Sequence, residues 1–375
     1  MASSPRLADV FPRSTVLVTG HTGFKGSWLC EWLLLLGAKV IGYSLEVPTR
    51  PSLFDQLGMQ GRITHLHGDV RNTESLAKCV REVRPDFIFH FAAQSLVRES
   101  YRSPVETYTT NVMGTVHLLD AVRLAGQPCT VVCATTDKCY ENREWIHASR
   151  EEDALGGQDP YSSSKAAAEH VASAYRRSFF QNGQPAGVSL ATGRAGNVIG
   201  GGDWAADRIV PDAMRALDLG APITVRNPHA TRPWQHVLEP LAGYLALAAS
   251  MAEAHRREKS EHSRQLTSAF NFGPRLNSNR PVCELAEEIL KHRSGTWTTD
   301  ADTNASHEAG RLNLAIDKAY HLLGWEPTWG FERAVAETVR WYEQSKTADA
   351  SELTRKQIQT YVREAAAAGQ SWALE

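Results

Sequence analysis

The chain has 375 residues, and 40 Lys and Arg against 42 Asp and Glu give a formal net charge of −2 at pH 7. This balance excludes a dedicated nucleic-acid binder, because such proteins carry a basic excess or a basic stripe. With 42% hydrophobic and 22% charged residues, the composition is that of a globular chain with a sizeable core, which excludes disorder as the main state. The length predicts two domains, or one large domain carrying a lobe.

Neither a membrane span nor a secretory signal is expected. The most apolar stretch, 28–36, contains Glu31 and is far shorter than the roughly 20 residues that a membrane-spanning helix needs. The first 13 residues lack the apolar segment of a secretory signal. The six cysteines form no C-x-x-C pair, so we expect reduced thiols, a cytoplasmic protein and no metal site.

Short β-branched runs alternate with helical patterns in the first half of the chain. This alternation is typical of an α/β fold with a doubly wound parallel sheet, as in Rossmann-like proteins. The predicted strands are Thr15–Thr19, Lys39–Tyr43, Ile63–Leu66, Phe87–Phe91, Thr130–Ala134 and Gly187–Ala191. The predicted helices are Gly26–Leu36, Thr73–Val83, Val105–Ala125 and Tyr161–Phe180, followed by Glu239–Ala252, Val282–Lys291 and Phe331–Glu343.

After Ala191 the rhythm breaks into loops rich in glycine and proline, at 193–203 and 226–235. We therefore predict a dinucleotide-binding domain over 1–191, rejoined by about 235–270. A smaller C-terminal substrate-binding lobe is expected from 192–234 and 271–375. The polar stretch 254–265 predicts a helix end or an exposed linker.

A glycine-rich turn, Gly20-His-Thr-Gly23-Phe-Lys-Gly26, follows the first predicted strand and opens a helix. Glycines at this spacing allow a tight turn, and they let the helix N-terminus approach a pyrophosphate. The turn therefore predicts dinucleotide binding through Gly20, Thr22, Gly23, Phe24, Lys25 and Gly26.

The end of the second strand leaves the choice between NAD and NADP open. Tyr43 and Ser44 are expected near the cofactor, but no acidic residue ends the strand. Glu46 lies at the interval at which NAD enzymes bind the adenosine ribose, whereas Arg50 would suit a 2′-phosphate. Asp69 and Val70, after the third strand, are expected at the adenine edge.

Tyr161 and Lys165 form a Tyr-x-x-x-Lys pair, and Thr136 ends the fifth strand. Residues four apart share one helical face, so the ammonium can lower the pKa of the phenol and hold a cofactor ribose. The Thr136 hydroxyl would orient a substrate alcohol against the phenolate. Small residues after the fourth strand, Ala92 and Ala93, would let a cofactor pass close.

Together these motifs resemble the extended short-chain dehydrogenase/reductase family, from Val16 to about Trp341. The resemblance implies Thr136, Tyr161 and Lys165 as catalytic residues, Asn111 as a supporting residue and NAD as the cofactor. It is closer to nucleotide-sugar 4,6-dehydratases, in which Thr-Asp-Glu follows the fifth strand. This sequence has Thr136-Asp137-Lys138, and Lys138 resembles the branch that acts on CDP-glucose.

The resemblance implies a mechanism for loss of water from the sugar. Tyr161 takes the 4-hydroxyl proton while the C4 hydride passes to NAD, and the resulting ketone acidifies C5. Lys138 removes the C5 proton if its pKa is lowered, and a protonated Asp137 protonates the departing 6-hydroxyl. If Lys138 stays charged, it would only stabilise an enolate, and another group would be the base.

The resemblance also implies substrate-binding residues. Arginines suit a diphosphate because a guanidinium contacts two phosphate oxygens at once. The implied set is Gln94, Ser95, Arg194, Asn197, Arg208, Arg232, His307 and Glu308, with Gln94 also near the cofactor. Trp204 and Trp234 lie in the same loops and would cover a base or a sugar face.

Three functional hypotheses remain open. The first is dehydration of CDP-glucose to CDP-4-keto-6-deoxyglucose, a precursor of deoxysugars in surface polysaccharide such as lipopolysaccharide O-antigen. The second is a dehydratase or epimerase of another nucleotide sugar, and the third is a catalytically silent nucleotide-sugar-binding protein. By analogy with the family, the helices Val105–Ala125 and Tyr161–Phe180 are expected to pair in a homodimer.

Overall fold

The fold is described by a computed structural model that covers residues 4–181, 185, 187–256, 261–299 and 310–374. Its strands are β1 Thr15–Thr19, β2 Lys39–Ser44, β3 Thr64–His67, β4 Phe87–His90, β5 Cys129–Thr135, β6 Val188–Arg194, β7 Val198–Ile199, β8 Ile223–Val225, β9 Thr231–Pro233, β10 Gln235–His236, β11 Ala269–Asn271, β12 Asn279–Pro281 and β13 Trp297–Thr299.

Its helices are α1 Leu7–Val10, α2 Phe24–Leu35, α3 Leu53–Gln56, α4 Thr73–Val83, α5 Val97–Arg102, α6 Pro104–Tyr108, α7 Gly114–Ala125, α8 Pro160–Tyr175, α9 Ile209–Asp218, α10 Leu238–Arg256, α11 Glu261–Leu266, α12 Val282–His292, α13 Asp317–Leu323, α14 Phe331–Gln344 and α15 Ala350–Ala367. A π-helical turn, Thr109–Met113, joins α6 to α7, and a second, Arg176–Phe180, extends α8.

Seven parallel strands form the central sheet, in the order β11–β6–β5–β4–β1–β2–β3. Strand order reverses at β1, which lies between β2 and β4. In a parallel sheet such a reversal opens a crevice at the carboxyl ends of the strands. The predicted fold class is confirmed, and the reversal fixes where a ligand site is to be sought.

Alternate residues of each strand point to opposite faces, so the sheet has two buried layers. Val16 and Val18 of β1 join a core that contains Trp28 of α2 and much of α10 and α14. Leu17, between them, joins a second core with Leu118 of α7. Because helices cover both faces, the inner strands β1, β4, β5 and β6 are buried on both sides.

The C-terminal helix packs on the first helix after the glycine-rich turn. Glu31 of α2 is fully buried, and its carboxylate accepts hydrogen bonds from Arg62 (2.6 and 2.8 Å) and from Arg355 of α15 (2.7 Å). Trp32 of α2 lies edge-on to Tyr361, with ring centroids 5.9 Å apart. Residues 350–367, placed in the lobe by the predicted division, therefore pack on the sheet-bearing half.

Most predicted elements are present with bounds shifted by one to four residues, and the predicted helix Val105–Ala125 consists of α6, a π turn and α7. Strand β1 and helix α4 have the predicted bounds, whereas β6 runs three residues past the predicted end, to Arg194. β11, α9 and α15 were not predicted. The stretch 254–265 contains the end of α10 and most of α11, with 257–260 outside the described residues.

No described helix combines the length and the apolarity that a membrane crossing requires. Nor do the described His, Cys, Asp and Glu side chains include a group of three or more able to hold a metal ion.

Candidate active site

A cavity of about 1350 Å³ runs along the carboxyl ends of the central strands. Its wall begins with the glycine-rich turn after β1 and continues through the residues that follow β2, β3, β4 and β5. The first residues of α8 and the loops around α9 complete it. It therefore occupies the crevice that the reversal of strand order opens.

The glycine-rich turn has the shape that a pyrophosphate needs. Gly20 has a φ of +74°, and a Cβ there would lie 2.6 Å from the backbone nitrogen of Ala92. A Cβ on Gly26 would lie 2.4 Å from the carbonyl oxygen of Gly20. Gly23 caps α2 without a side-chain bond, so the first N–H groups of the helix stay available to an anion. The turn thus fits a dinucleotide.

The end of β2 is held by hydroxyl groups. Thr22 and Ser44 both line the cavity, and their hydroxyl oxygens lie 2.8 Å apart. Tyr43 is buried beneath the wall, where its hydroxyl donates to the carbonyl oxygen of Asp69. Tyr43 is therefore a supporting residue, contrary to the expected contact with the cofactor. Glu46 and Arg50 both line the cavity, which leaves the choice between NAD and NADP undecided by geometry.

Asp69 and Val70 line the cavity after β3, as expected for an adenine site. The Asp69 carboxylate pairs with Arg71, with an oxygen and a guanidinium nitrogen 2.6 Å apart. Burial raises the pKa of Asp69, but the hydrogen bonds and charge of Arg71 outweigh burial, so the pKa is lowered. Asp69 is therefore ionised over the neutral pH range, with both carboxylate oxygens accepting hydrogen bonds from Arg71.

Thr136, Asp137 and Lys138 form one wall of the cavity directly after β5, facing Tyr161 and Lys165 of α8. The Thr136 hydroxyl donates to Oδ1 of Asp137 (3.0 Å), and the Thr136 side chain also hydrogen-bonds the phenol of Tyr161. The Lys138 ammonium lies 3.8 Å from the same Oδ1. The structure thus brings all five predicted catalytic residues to one place.

Asp137 is arranged to meet a ligand. Its side chain is 1% exposed, and its Oδ2 has no hydrogen-bond partner among the described residues. Gly196 lies directly over the carboxylate, since a Cβ there would fall 2.0 Å from it. A buried carboxylate oxygen without a partner is costly unless a ligand or a proton satisfies it.

Burial dominates the titration of the pair on α8. It lowers the pKa of Lys165 to about 8, partly opposed by Cys133 and Glu169. Burial raises the pKa of Tyr161 to about 12, although the hydrogen bond with Thr136 lowers it. The predicted lowering of the phenol pKa is therefore not achieved by the groups of the protein alone. The Lys165 ammonium instead donates to the carbonyl oxygen of Ala134 (3.3 Å).

Ala92, Ala93 and Gln94 follow β4 into the cavity wall. Both ends of the Gln94 amide are used within the protein, since it donates to Thr107 (2.9 Å) and accepts from the backbone of Leu96 (2.5 Å). Asn111 lies behind the wall, accepts from the backbone N–H of Gln94 (2.9 Å) and donates to Ser164 (2.8 Å). Gln94 and Asn111 therefore brace the wall from within.

Polar groups from the loops around α9 line the far part of the cavity. Arg208 donates to Asp203 (2.8 Å) and to Ser95 (3.1 Å), and Arg232 lines the same region. Asn197 adopts a φ of +48°, and its buried Oδ1 has no partner among the described residues. With Trp204 and Trp234, these groups give the far part of the cavity a lining of guanidinium, amide and indole groups.

Arg194 is placed differently from the prediction. Its side chain is 4% exposed and does not line the cavity. The guanidinium donates to Glu169 of α8 (2.9 Å), to the Tyr140 hydroxyl (2.7 Å) and to the carbonyl oxygen of Glu151 (3.0 Å). Arg194 is therefore held by groups of the protein outside the cavity lining, a placement that differs from the predicted contact with a diphosphate. His307 and Glu308 lie outside the described residues.

Comparison with known proteins agrees with this geometry. The model of the family described as GDP-mannose 4,6-dehydratase matches residues 17–338. This chain belongs to that family. A CDP-glucose 4,6-dehydratase of Salmonella typhimurium strain LT2 is 47% identical over 332 residues, which cover 88% of this chain and 90% of the relative. The resemblance drawn from the motifs is confirmed.

Two solved structures of family members share the fold. DesIV, a dTDP-glucose 4,6-dehydratase of Streptomyces venezuelae solved with NAD bound, has a TM-score of 0.71 and 28% identity, covering 88% of this chain and 97% of that one. A dTDP-glucose 4,6-dehydratase of Bacillus anthracis in complex with NAD has a TM-score of 0.70 and 25% identity, covering 88% and 96%.

The sequence reasoning missed several charged residues of the cavity. Arg98 and Arg226 line it, and each pairs with Asp207, at 3.5 and 3.3 Å. Asp203, the partner of Arg208, stands in the motif Gly-Gly-Asp-Trp204, so a signal for it was present. Arg98 carries no such signal, because it lies on a short helix whose direction the sequence does not reveal.

Substitution of Gly20 tests the dinucleotide turn. We expect Gly20→Ala to weaken NAD binding by about tenfold or more, because the new Cβ would displace the backbone of Ala92. Titration with NAD, followed by calorimetry, measures the change. Gly126→Ala is the matched control: Gly126 has a φ of +67°, but a Cβ there meets no atom within 4 Å. Equal loss of affinity in both variants would contradict this role for Gly20.

Proposed function

We propose that this chain catalyses the NAD-dependent 4,6-dehydration of CDP-glucose to CDP-4-keto-6-deoxyglucose. The single observation that carries the proposal is the wall formed by Thr136, Asp137 and Lys138 opposite Tyr161 and Lys165 in one cavity. The 47% identity to a CDP-glucose 4,6-dehydratase supports the choice of sugar nucleotide over the other members of the family.

In this proposal the glycine-rich turn, Ser44 and Asp69 hold NAD along the first half of the cavity. When bound, NAD would supply a reversible hydride acceptor for C4 and C6 and a positive ring charge that favours the Tyr161 phenolate. The Lys165 ammonium stabilises the same phenolate and is positioned to hold a ribose hydroxyl. Thr136 donates to the substrate 4-oxygen or to the phenolate as the proton moves.

Asp137 and Lys138 carry the elimination. Oδ2 of Asp137 has no partner among the described residues, so the carboxyl group is suited to give a proton to the departing 6-hydroxyl. Lys138, whose side chain is 23% exposed, is assigned as the group that removes the C5 proton, which the oxidised C4 makes acidic. The same group returns a proton to C5 when the hydride is returned to C6. The net reaction is loss of water, and the reducing equivalents stay within the sugar.

The nucleotide-sugar diphosphate is assigned to the far part of the cavity. Arg208 and Arg232 supply positive charge there, and Asn197 supplies an amide. The assignment rests on their position in the wall and on the preference of guanidinium groups for phosphate oxygens. The product, a 4-keto-6-deoxy sugar nucleotide, suits later conversion to the deoxysugars of surface polysaccharide.

The reaction is tested with a panel of substrates. The purified protein is incubated with NAD and separately with CDP-glucose, UDP-glucose, dTDP-glucose and GDP-mannose, and each mixture is followed by mass spectrometry. We expect loss of water from CDP-glucose alone, and no loss with Tyr161→Phe. An isomer of unchanged mass would indicate an epimerase, and binding without any turnover would indicate a silent binding protein.

The role of Lys138 has its own test. We propose Lys138 as the C5 base, so Lys138→Ala should still oxidise C4 but exchange the C5 proton with deuterium at least about a hundredfold more slowly than the parent. Exchange is measured by mass spectrometry in D₂O. Exchange at the parent rate would show that another group or a water molecule is the base, with Lys138 limited to stabilising the enolate.

We also propose that the protein is a homodimer formed through α6, α7 and α8. Large apolar side chains are exposed on α6 and α7, including Val105 (78%) and Leu124 (65%), with Met113 in the π turn between these helices. Removing exposed apolar side chains from water favours association. By analogy with the family, we expect a second copy of this chain to cover these side chains.

Sedimentation velocity tests the dimer. Val105→Glu should convert the protein to a species of half the mass, because it places a charge within the proposed interface. Leu219→Glu is the matched control, since Leu219 is 84% exposed at the end of α9 and should leave the mass unchanged. A monomer in the unaltered protein, or a dimer that tolerates Val105→Glu, would disprove this interface.

A further inference from the structure

The described residues include a buried polar network behind the catalytic wall that the proposed chemistry does not use. At its centre is Glu169 of α8, which is 3% exposed. The carboxylate accepts from the hydroxyls of Thr135 (2.5 Å) and Thr192 (2.8 Å), and from the guanidinium of Arg194 (2.9 Å). One side chain therefore ties α8 to the ends of β5 and β6.

The two ends of this network are adjacent to catalytic groups. Glu169 lies one helical turn after Lys165, and residues four apart share one face of a helix. Thr135, which donates to Glu169, directly precedes Thr136 in the chain. Any movement of α8 relative to β5 would change the distance between Lys165 and Thr136, and the bonds to Glu169 oppose that movement.

Arg194 extends the network to a third strand. Its guanidinium donates to the Tyr140 hydroxyl (2.7 Å), which in turn donates to Asn271 of β11 (2.7 Å). The Asn271 amide donates to the carbonyl oxygens of Ser149 (2.9 Å) and Ala315 (3.1 Å). The loop from Tyr140 to Glu151, which follows the catalytic wall, is therefore fixed to the edge of the sheet.

A buried ion pair is weak evidence for stability, because desolvation of the two charges offsets most of their attraction. Two apolar side chains of similar volume would fill this space at least as well. Three directed bonds to one carboxylate serve geometry better than they serve stability, and the geometry that they fix is that of the active site.

We propose that Glu169 and Arg194 are a positioning pair for the proposed reaction, holding the helix face of Tyr161 and Lys165 at a fixed distance from Thr136 and Asp137. The inference rests on the proposed function and adds residues that contact neither substrate nor cofactor. It also gives Arg194 a role that differs from the predicted contact with the diphosphate.

The pair also has an electrostatic effect on Lys165. Burial lowers the pKa of Lys165 to about 8, and the negative charge of Glu169 opposes that shift. Burial raises the pKa of Glu169, but Arg194 from β6 and the hydroxyls of Thr135 and Thr192 outweigh burial, so that pKa is lowered. The Glu169 charge in turn acts on Lys165 and Arg176 from α8 and its extension, and on Cys133 and Cys139 from β5 and the turn after it. Removal of the Glu169 charge therefore lowers the pKa of Lys165 further.

The experiment compares Glu169→Gln, Arg194→Met and the double variant with the unaltered protein, using CDP-glucose and NAD. We expect kcat to fall by about ten- to a hundredfold in each single variant, while KM for CDP-glucose and the Kd for CDP change by less than about threefold. In Glu169→Gln, the alkaline limb of the kcat profile should move to lower pH, because Lys165 loses its proton more readily. The double variant should be no slower than the slower single variant, because the residues act as a unit.

Glu31→Gln is the matched control, because Glu31 is an equally buried carboxylate between two arginines but lies away from the cavity. It should lower the melting temperature and leave the kcat profile in place. Should Glu169→Gln fail to fold, Thr192→Val removes one bond to Glu169 with almost no change of volume, and a smaller fall in kcat is expected.

Two results would overturn the positioning role. In the first, Arg194→Met raises KM for CDP-glucose by about tenfold or more and leaves kcat unchanged. That result would show that Arg194 binds the diphosphate. In the second, Glu169→Gln, or Thr192→Val in its place, lowers only the melting temperature and leaves kcat unchanged, as is expected for Glu31→Gln. An unaltered protein that dehydrates no sugar nucleotide would instead overturn the proposed function, and this inference with it.

Discussion

The reversal of strand order at β1 is the constraint on which the site depends. Strands β2 and β4 lie on opposite sides of β1, so the chain segments that leave their carboxyl ends diverge and leave a crevice. The glycine-rich turn lies at the bottom of that crevice because β1 ends there. Gly20 can approach Ala92 so closely only because β1 and β4 are hydrogen-bonded neighbours, and the absence of a side chain completes the fit. The binding surface is thus a consequence of topology, and the glycines adapt it to a pyrophosphate.

Burial then determines which charges in the crevice are available for chemistry. A buried ammonium loses its proton more easily and a buried phenol holds its proton more firmly, as Lys165 and Tyr161 show. The proposed first step needs the opposite states, a protonated Lys165 and an ionised Tyr161. The protein opposes burial with the Thr136 hydroxyl on the phenol and the Glu169 carboxylate near the ammonium. The proposed catalytic group therefore depends on residues outside the cavity as well as on those within it.

Much of the fold could be predicted because local patterns determine it. The apolar pattern and the Asn72 cap specify α4 to the residue, since Asn72 accepts from the backbone N–H of Ser75 (3.0 Å). The turn Gly20–Gly26 and the pair Tyr161 and Lys165 could be recognised for the same reason. Strand β11 could not be predicted, because a strand of three residues is too short to show a detectable apolar periodicity. α15 lies beyond the motifs, and its partner on α2 is more than 300 residues earlier in the chain.

Arg194 shows why a residue type in a motif does not by itself define a role. The predicted strand ended at Ala191, which put Arg194 in a loop, free to reach a ligand. The strand in fact continues to Arg194, and its side chains alternate between the two faces of the sheet. Leu190 joins the core beneath α8, so Thr192 and Arg194 must point the same way, towards Glu169. A strand longer by three residues thus converts a predicted phosphate ligand into the partner of a buried carboxylate.

The Glu169 carboxylate made that partner necessary, because a carboxylate four residues after Lys165 on a buried helix face requires a cation or several hydrogen-bond donors. Arg194 supplies the cation, and the same bond that neutralises Glu169 holds the two halves of the catalytic wall together.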